Sequence, residues 1–284
     1  MIHVEDLRFT YPRSDVAAVR GLEFVVEPGE IVGFLGPSGA GKSTTQKILV
    51  GLLGGYTGRV RVRGKEVASW SARDYERIGV SFETPNHFLK LTGLENLRYF
   101  AALYDHETRS PDTLLEAVGL NSDGEKPVGQ YSRGMKARLS VARSVIGNPD
   151  VLFLDEATSG LDPVNGQRIK SLIRAERDAG CTIFLTTHDM SAADDLCDRV
   201  AFIVDGRLAC IQSPRKLKLE HGERTVRVEY ADGDSTRHDE FPLDGLGDNR
   251  EFQRLLRERK IETIHTREAN LADVFIRVTG RQLA

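Results

Sequence analysis

The sequence predicts an α/β protein built around a mostly parallel sheet. Three short apolar runs, at 31–35, 151–154 and 182–186, have the length and composition of strands that are buried on both faces. A helical pattern follows the first run at 43–53, and another separates the other two at 165–179. Because parallel strands are joined by crossover helices, this alternation favours one sheet with helices packed against it.

The remaining segments extend this pattern. Residues 2–11 alternate between apolar and polar side chains as in a half-buried strand, and the change of phase after Val4 indicates a bend. Further strands are expected at 22–26, 77–82, 200–204 and 208–211, the last two joined across Asp205-Gly206. Further helices are expected at 94–103, 111–118 and 132–146, within a helical insertion at about 84–146.

Beyond Leu219 the pattern changes. An alternation of apolar and charged residues at 226–230 predicts a strand with one exposed face, and the polar stretch 231–248 predicts a loop. Two later segments space their apolar residues as helices do. The sequence therefore predicts a domain at 1–219 and a small α/β appendage at 220–284. The appendage could regulate the chain, add a dimer contact or only stabilise it.

Composition excludes several classes of protein. The 284 residues carry 39 basic and 42 acidic side chains, a formal net charge of −3, without blocks of like charge. Binding to nucleic acid or to an anionic membrane is therefore not expected. No apolar run approaches the roughly 18 residues of a membrane-spanning helix, and the first residues do not read as a signal peptide. We expect the chain in the cytoplasm.

A glycine-rich loop joins the first buried strand to its helix. Glycines let successive backbone N–H groups point inward, and the positive end of the following helix faces the same place. Lys42 can reach the β- and γ-phosphates of a nucleotide, and the Ser43 hydroxyl can bind Mg²⁺. A chance glycine-rich turn is the alternative, but the flanking strand and helix favour a site for ATP and Mg²⁺. The loop is Gly36-Pro37-Ser38-Gly39-Ala40-Gly41-Lys42-Ser43-Thr44.

Two carboxylates end the apolar run 151–154. Asp155 and Glu156 follow this run directly, and open α/β sheets bind their ligands at the carboxyl ends of the strands. Asp155 is expected to hold Mg²⁺, and Glu156 to orient or deprotonate the attacking water. An acidic pair that merely caps a strand end is the alternative. The glycine loop in the same chain favours the catalytic interpretation.

Three further motifs stand in a characteristic order. They are Tyr131-Ser132-Arg133-Gly134-Met135-Lys136, Ser159-Gly160-Leu161-Asp162 and Thr186-Thr187-His188-Asp189. Together with the loop and the carboxylates, they make residues 1–215 resemble the nucleotide-binding subunit of ATP-binding cassette (ABC) transporters. The resemblance implies a P-loop ATPase core with an antiparallel β subdomain and a helical subdomain.

The resemblance also assigns roles to single residues. It implies that Tyr11 stacks on adenine, although a tyrosine at a strand end could equally be core. Ser132 and Gly134 match positions that contact the γ-phosphate bound by the opposite subunit, although Ser132 could be only a helix cap. Asp162 matches a loop that signals across the dimer. His188 matches the histidine that reaches the γ-phosphate.

The sequence departs from the family pattern in three places. Arg133 and Met135 replace the common glycine and glutamine of their motif, and Ala157 replaces a common proline. More important, Glu83 stands where the family has a glutamine that touches Mg²⁺ and the attacking water. We expect Glu83 to join Ser43 and Asp155 as a metal ligand, which would raise the dependence on metal and slow turnover. A Glu83 that faces solvent is the alternative.

These inferences predict the ATP-hydrolysing subunit of an ABC transporter. The resemblance implies a homodimer with ATP held between two copies, and a separate integral membrane permease that keeps the subunit at the inner face of the membrane. Its short insertion, its Tyr131–Met135 motif and its last helical segment are more similar to those of exporters of drugs, antibiotics or lipids than to those of importers. A soluble ABC ATPase that acts on a macromolecular partner is the alternative. A P-loop kinase or GTPase would have no use for Ser132, Gly134 and His188.

Overall fold

In the computed structural model, which describes residues 1–222, 224–232, 235–267 and 269–281, the chain divides into two units, Met1–Ser213 and Pro214–Arg281. Residues 223, 233, 234, 268 and 282–284 of the predicted appendage lie outside this description. The division falls before the predicted boundary at 219, because the helix that starts at Pro214 packs against the last helix. Within the described ranges, no helix is both long and apolar enough to cross a bilayer.

The first unit contains the predicted strands and helices and four elements that were not predicted, at 57–62, 65–66, 72–75 and 190–196. Its strands are β1 (Ile2–Thr10), β2 (Ala17–Val26), β3 (Ile31–Leu35), β4 (Thr57–Val62), β5 (Lys65–Glu66), β6 (Ile78–Ser81), β7 (Val151–Asp155), β8 (Thr182–Thr187), β9 (Arg199–Val204) and β10 (Arg207–Gln212). Its helices are α1 (Lys42–Leu49), α2 (Ala72–Tyr75), α3 (Gly93–Ala101), α4 (Pro111–Ala117), α5 (Arg133–Ser144), α6 (Pro163–Asp178) and α7 (Met190–Leu196).

A six-stranded sheet forms the centre of this unit. Its order is β10-β9-β3-β8-β7-β6, and all neighbours are parallel except β10 and β9. Every residue of β3, β7 and β8 is buried, as their continuous apolar runs predict. Helix α1 follows β3 directly, in the order that a phosphate-binding loop requires. The predicted α/β class is therefore confirmed.

A second, antiparallel sheet packs against the first. It has the order β2-β1-β4-β5, and Phe24 of β2 lies 4.7 Å from Phe34 of β3, measured between ring centroids. Phe34 in turn lies 4.6 Å from Phe184 of β8, so aromatic rings fill the space between the sheets. The predicted bend in β1 is present as a register shift, with Asp6 at a φ of 42°.

The helical insertion is fixed to the central sheet by β6 and α5. A Cβ atom at Gly79 of β6 would lie 1.9 Å from the Ser144 carbonyl oxygen of α5, so the helix rests on the strand backbone. Beside this contact, the Ser81 hydroxyl donates to the Ser140 hydroxyl at 3.0 Å. The start of α3 is closed by a capping box in which Thr92 and Glu95 bond each other's backbone N–H groups. The insertion therefore has its own capped helices and a tight attachment.

The second unit is a small α/β unit, with one correction to the sequence analysis. The prediction of a loop over 231–248 is wrong for 231–232, which end the preceding strand, and for 235–242, which form an edge strand of a three-stranded sheet. Only Phe241 of that strand is buried, so its sequence lacks the apolar alternation that predicts strands. The elements are α8 (Pro214–His221), β11 (Thr225–Asp232), β12 (Ser235–Pro242), α9 (Arg250–Glu258), β13 (Ile261–Arg267) and α10 (Leu271–Thr279).

We predict that Gly79→Ala destabilises the chain, because the new methyl group would collide with the Ser144 carbonyl. The expected loss is at least about 1–3 kcal/mol in the free energy of unfolding, measured by denaturant titration. Gly166→Ala is the matched control, since a Cβ at Gly166 in α6 would meet nothing within 4 Å. It should stabilise the chain by about 0.5–1 kcal/mol. Equal effects of the two variants would contradict the assigned packing of β6 on α5.

Candidate nucleotide-binding site

A cavity of about 440 Å³ opens at the edge of the central sheet where β3, β7 and β8 end. It brings together the glycine loop and residues that the sequence analysis took from separate motifs. The lining residues are Tyr11, Ala18, Ser38, Gly39, Ala40, Gly41, Lys42, Ser43, Thr44, Glu83, Asp155, Glu156 and His188. This is the edge at which parallel α/β sheets bind their ligands.

Two glycines of the loop are required by close approach of other backbone segments. A Cβ atom at Gly36 would lie 2.1 Å from the carbonyl oxygen of Ile203, and one at Gly41 would lie 2.6 Å from that of Ala18. Gly41 also has a φ of 103°, in the region that favours glycine. Helix α1 starts at the next residue without a side-chain cap, so its first N–H groups are left for a bound anion.

The Lys42 side chain is folded onto its own loop. Its Nζ donates to the carbonyl oxygens of Gly36, at 2.6 Å, and Pro37, at 3.0 Å. Gly36 and Pro37 do not line the cavity, and they act here through the lysine. These two carbonyls use two of the three N–H donors of the ammonium group, so one donor is left for an anion in the loop.

Three carboxylates surround this ammonium group. Burial lowers the pKa of Lys42, and the charges of Glu156, Asp155 and Glu83 oppose that shift, in decreasing order. Glu83 is exposed to solvent and at the same time lines the cavity. Glu83 therefore interacts electrostatically with Lys42, as Asp155 and Glu156 do.

Tyr11 is tethered to the loop from the end of β1. Its hydroxyl lies 3.1 Å from the Thr44 hydroxyl, and its ring packs edge-on against Phe9 with centroids 4.9 Å apart. The ring is 39% exposed and lines the cavity. A half-open aromatic face in this position can stack on a planar base.

Asp155 stands at the end of β7 and is almost completely buried. Its Oδ1 accepts a hydrogen bond from the Thr186 hydroxyl of the neighbouring strand β8. This bond holds the carboxylate at the floor of the cavity. The carboxylates and the Ser43 hydroxyl that line the cavity are oxygen donors, the type of ligand that Mg²⁺ prefers.

Glu156 is held by the end of β8. Its Oε1 accepts from the backbone N–H of His188 at 3.0 Å and lies 2.7 Å from His188 Nδ1, while its Oε2 accepts from the Thr187 hydroxyl at 3.1 Å. Glu156 has a φ of 53°, a conformation that costs energy in a residue with a side chain. The His188 side chain remains 60% exposed, so its far nitrogen is accessible from the cavity.

Besides Gly36 and Pro37, three predicted site residues do not line this cavity. Ser132 is the exposed N-cap of α5, and its Oγ accepts from the backbone N–H of Met135 at 3.2 Å. Gly134 follows in the first turn of that helix. Asp162 caps α6, and hydrogen bonds from Asn165, its side chain first, hold the pKa of Asp162 below its ordinary value. Within one chain Ser132 and Asp162 are helix caps, and Gly134 is a residue of the first helical turn.

Sequence reasoning missed Ala18 and the roles of two threonines. Ala18 lines the cavity from β2, and nothing in its sequence context indicates that. Thr186 and Thr187 belong to a quoted motif but had no role there, and their hydroxyls donate to Asp155 and Glu156. All three positions follow from which strands are neighbours, and single-sequence patterns do not give that information.

Comparison with known proteins identifies the family. Residues 19–159 match the ABC transporter family, and residues 224–268 match a family described as the C-terminal domain of fluoroquinolone efflux ABC transporters. A fluoroquinolones export ATP-binding protein of Mycobacterium tuberculosis strain H37Rv is 57% identical over 284 residues, which is 100% of this chain and 94% of that protein. The chain belongs to the ATP-binding subunits of ABC transporters. As an ABC subunit it binds ATP and is an ATPase.

Other similar proteins agree with this assignment. The Nod factor export ATP-binding protein I of Burkholderia pseudomallei strain K96243 is 37% identical to this chain over 288 residues. The match covers 95% of this chain and 94% of that protein. A solved ATP-binding subunit of an ABC transporter has a TM-score of 0.70 at 26% identity, covering 78% of this chain and 93% of that one. A bacterial ABC transporter cassette solved as a dimer has a TM-score of 0.67 at 25% identity, covering 75% and 98%.

Proposed function

We propose that two copies of this ABC subunit pair head to tail around ATP, and that this pairing drives export through a separate membrane permease. The observation that carries the proposal is a cavity that is complete on one side only. The loop, Asp155, Glu156 and His188 line it, whereas Ser132 and Gly134 stand outside it at an exposed helix start. A second copy would bring its own helix start to the open side.

The start of α5 has the properties that a γ-phosphate would need. The Ser132 hydroxyl is exposed, and the first turn of the helix offers backbone N–H groups at the positive end of its dipole. Gly134 in that turn has no side chain to keep a phosphate away. Asp162, at the start of α6, would face the same partner copy.

Inside the cavity, each residue would act on the nucleotide of its own chain. Tyr11 would stack on the base, and the N–H groups of residues 36–44 would hold the phosphates together with Lys42. Glu156 would orient and deprotonate the attacking water, and His188 would bond the γ-phosphate. The imidazole lies 2.7 Å from the Glu156 carboxylate, so the two groups would position each other.

Oxygen ligands for Mg²⁺ would come from Ser43, Asp155 and Glu83. Protein sites for this ion take one or two carboxylates and leave room for phosphate oxygens and water. Bound there, Mg²⁺ would neutralise phosphate charge. Glu83 would add a negative charge where the family has a neutral amide, which strengthens the hold on the metal and places a carboxylate near the γ-phosphate.

Glu156→Gln tests the dimer. We expect hydrolysis to fall at least about 100-fold, because the amide cannot accept the proton of the attacking water. ATP should then trap a dimer that light scattering on a sizing column detects. In this background Ser132→Ala should weaken dimerisation about tenfold or more, by loss of a hydrogen bond to a charged phosphate. Ser110→Ala is the control, since Ser110 is an exposed serine at the N-cap position of α4, outside the cavity. Monomers with ATP bound would contradict the proposal.

Glu83→Gln tests the third metal ligand. We expect the variant to need a higher Mg²⁺ concentration for half-maximal ATPase activity, because it loses a charged oxygen ligand. Its turnover at saturating Mg²⁺ should rise, as the negative charge beside the γ-phosphate is removed. Glu125→Gln, an exposed glutamate outside the cavity, serves as the control. Identical Mg²⁺ titration curves and rates for wild type and Glu83→Gln would rule this role out.

A permease would dock on exposed apolar residues of the helical insertion. Phe88, Leu89, Tyr99 and Leu103 are exposed there, and Phe88 and Tyr99 pack edge to face at 4.8 Å. Exposed apolar patches of this kind fit a helix of a partner protein. From the same segment, Leu91, Leu94 and Leu97 are also candidates for this surface by sequence, but they are less exposed. Leu94 and Leu97 are buried in the insertion, and Leu91 is partly buried.

The relatives support a drug-export role for the complex. A relative with 57% identity is named for fluoroquinolone export, and one with 37% identity for Nod factor export. Export of a drug-like amphipathic compound is therefore the activity we propose. The subunit would lie at the inner face of the membrane through its permease, without nucleic acid as a partner. A soluble ATPase working on another macromolecule would not need the apolar surface.

Leu89→Ser tests docking and export together. In cells that produce this chain with its proposed permease, we expect the variant to raise fluoroquinolone accumulation in the cells and to lose co-purification with that permease. Leu52→Ser is the matched control, because Leu52 is 60% exposed and Leu89 is 55% exposed. It should behave as wild type. Equal export by both variants would place the docking surface elsewhere, and unchanged drug levels in the Glu156→Gln strain would contradict fluoroquinolone export.

A further inference from the structure

A buried glutamine lies behind the proposed metal site. Gln46 is on α1, three residues after Ser43 and therefore on the same face of the helix. Its side chain is 1% exposed, and its Nε2 has no hydrogen-bond partner among the described residues. A buried amide donor without a partner costs free energy, so the unpaired Nε2 of Gln46 needs an explanation.

The explanation lies in the hydroxyl group that faces this amide. Thr186 Oγ1 lies 3.2 Å from Gln46 Oε1, 3.5 Å from the Leu154 carbonyl oxygen, and closer still to Asp155 Oδ1. A threonine hydroxyl has a single proton to donate. The charged carboxylate forms the strongest of these bonds, so the proton belongs to Asp155. No proton is then left for a hydrogen bond between the Thr186 oxygen and the Gln46 amide oxygen.

The two ends of a glutamine amide have the same shape, so Nε2 can take the place of Oε1. The unpaired Nε2 of Gln46 then faces Thr186 Oγ1, which can accept a hydrogen bond from it. We propose that Gln46 is a positioning residue for Asp155. Its Nε2 donates to Thr186 Oγ1, and the Thr186 hydroxyl donates to Asp155 Oδ1. The chain of bonds runs in one direction, and successive bonds of this kind strengthen each other in a dry interior.

This relay connects the two elements that carry the proposed metal ligands. Helix α1 carries Ser43, strand β7 carries Asp155, and Thr186 lies on β8 between them. Because Oδ1 accepts the Thr186 hydroxyl, the bond fixes the rotation of the carboxylate and with it the direction that the other oxygen presents to a cation. Gln46 would therefore set the orientation of Asp155 relative to Ser43. The inference rests on the proposed Mg²⁺ site and adds a residue that does not touch the metal.

Three variants test the relay, with Mn²⁺ as the probe. Gln46→Leu and Thr186→Val each remove one hydrogen-bonding group with little change in volume. We expect each to weaken the binding of Mn²⁺ to the ATP-loaded chain about 10- to 100-fold, as for other groups that orient metal ligands, measured by electron paramagnetic resonance. Thr182→Val is the matched control. Its hydroxyl is equally buried on the same strand but accepts from Gly29 N at 3.0 Å, away from the cavity.

A second measurement separates positioning from damage to the fold. The affinity for ATP in EDTA should stay within about twofold of wild type in all variants, because the phosphate loop is untouched. The double variant Gln46→Leu/Thr186→Val should bind Mn²⁺ no more weakly than Thr186→Val alone, since Gln46 acts only through Thr186. Thermal unfolding checks each fold, and Gln46→Met replaces Gln46→Leu if that variant unfolds.

The outcomes are distinct. Mn²⁺ affinity unchanged by loss of the Gln46 amide would overturn the relay, and so would effects that multiply in the double variant. A parallel loss of ATP affinity in EDTA would show that Gln46 is only a packing residue. Failure of the wild-type chain to bind Mn²⁺ with ATP would overturn the proposed metal site itself, and the relay with it. Retained ATP-dependent pairing of Glu156→Gln would then still support the rest of the proposed function.

Discussion

In the central sheet, backbone pairing places Leu35 of β3 beside Thr187 of β8, and Thr186 beside Asp155 of β7. These strands are buried on both faces, so they accept polar side chains only where they end. The segments that follow them must therefore emerge side by side, and they carry the glycine loop, Glu156 and His188. The site depends on this register more than on any single residue, because a shift of one residue would turn Asp155 to the opposite face.

The charged groups at this edge are already paired within the chain. Lys42 bonds two loop carbonyls, His188 contacts Glu156, and Thr186 bonds Asp155. Such pairing is expected where charge is partly buried, because an unpaired charge there is costly. Lys42 keeps one of its three N–H donors for a nucleotide while the other two hold the loop.

Local sequence patterns predicted the elements of the core well. Each buried strand is a continuous apolar run, and the glycine loop has a spacing that backbone geometry requires. What the patterns could not give is which strands are neighbours. The contact of Ala18 with the loop, the bond from Thr187 to Glu156 and the relay at Gln46 all depend on tertiary pairing. Strand β12 was missed for a different reason, because an exposed edge strand can be charged along most of its length.

The insertion links the two halves of the proposed site through one helix. His87, four residues after Glu83, is buried, and its Nε2 lies 2.9 Å from the Lys136 carbonyl oxygen of α5. The same helix starts at Ser132 and rests on the strand that leads to Glu83. The exposed Phe88 follows His87 directly, so the docking surface, Glu83 and the helix start are joined by short contacts. Coupling between sites travels through packed elements of this kind. A permease that moves this segment would therefore act at once on a chain's own nucleotide and on the one it shares with its partner.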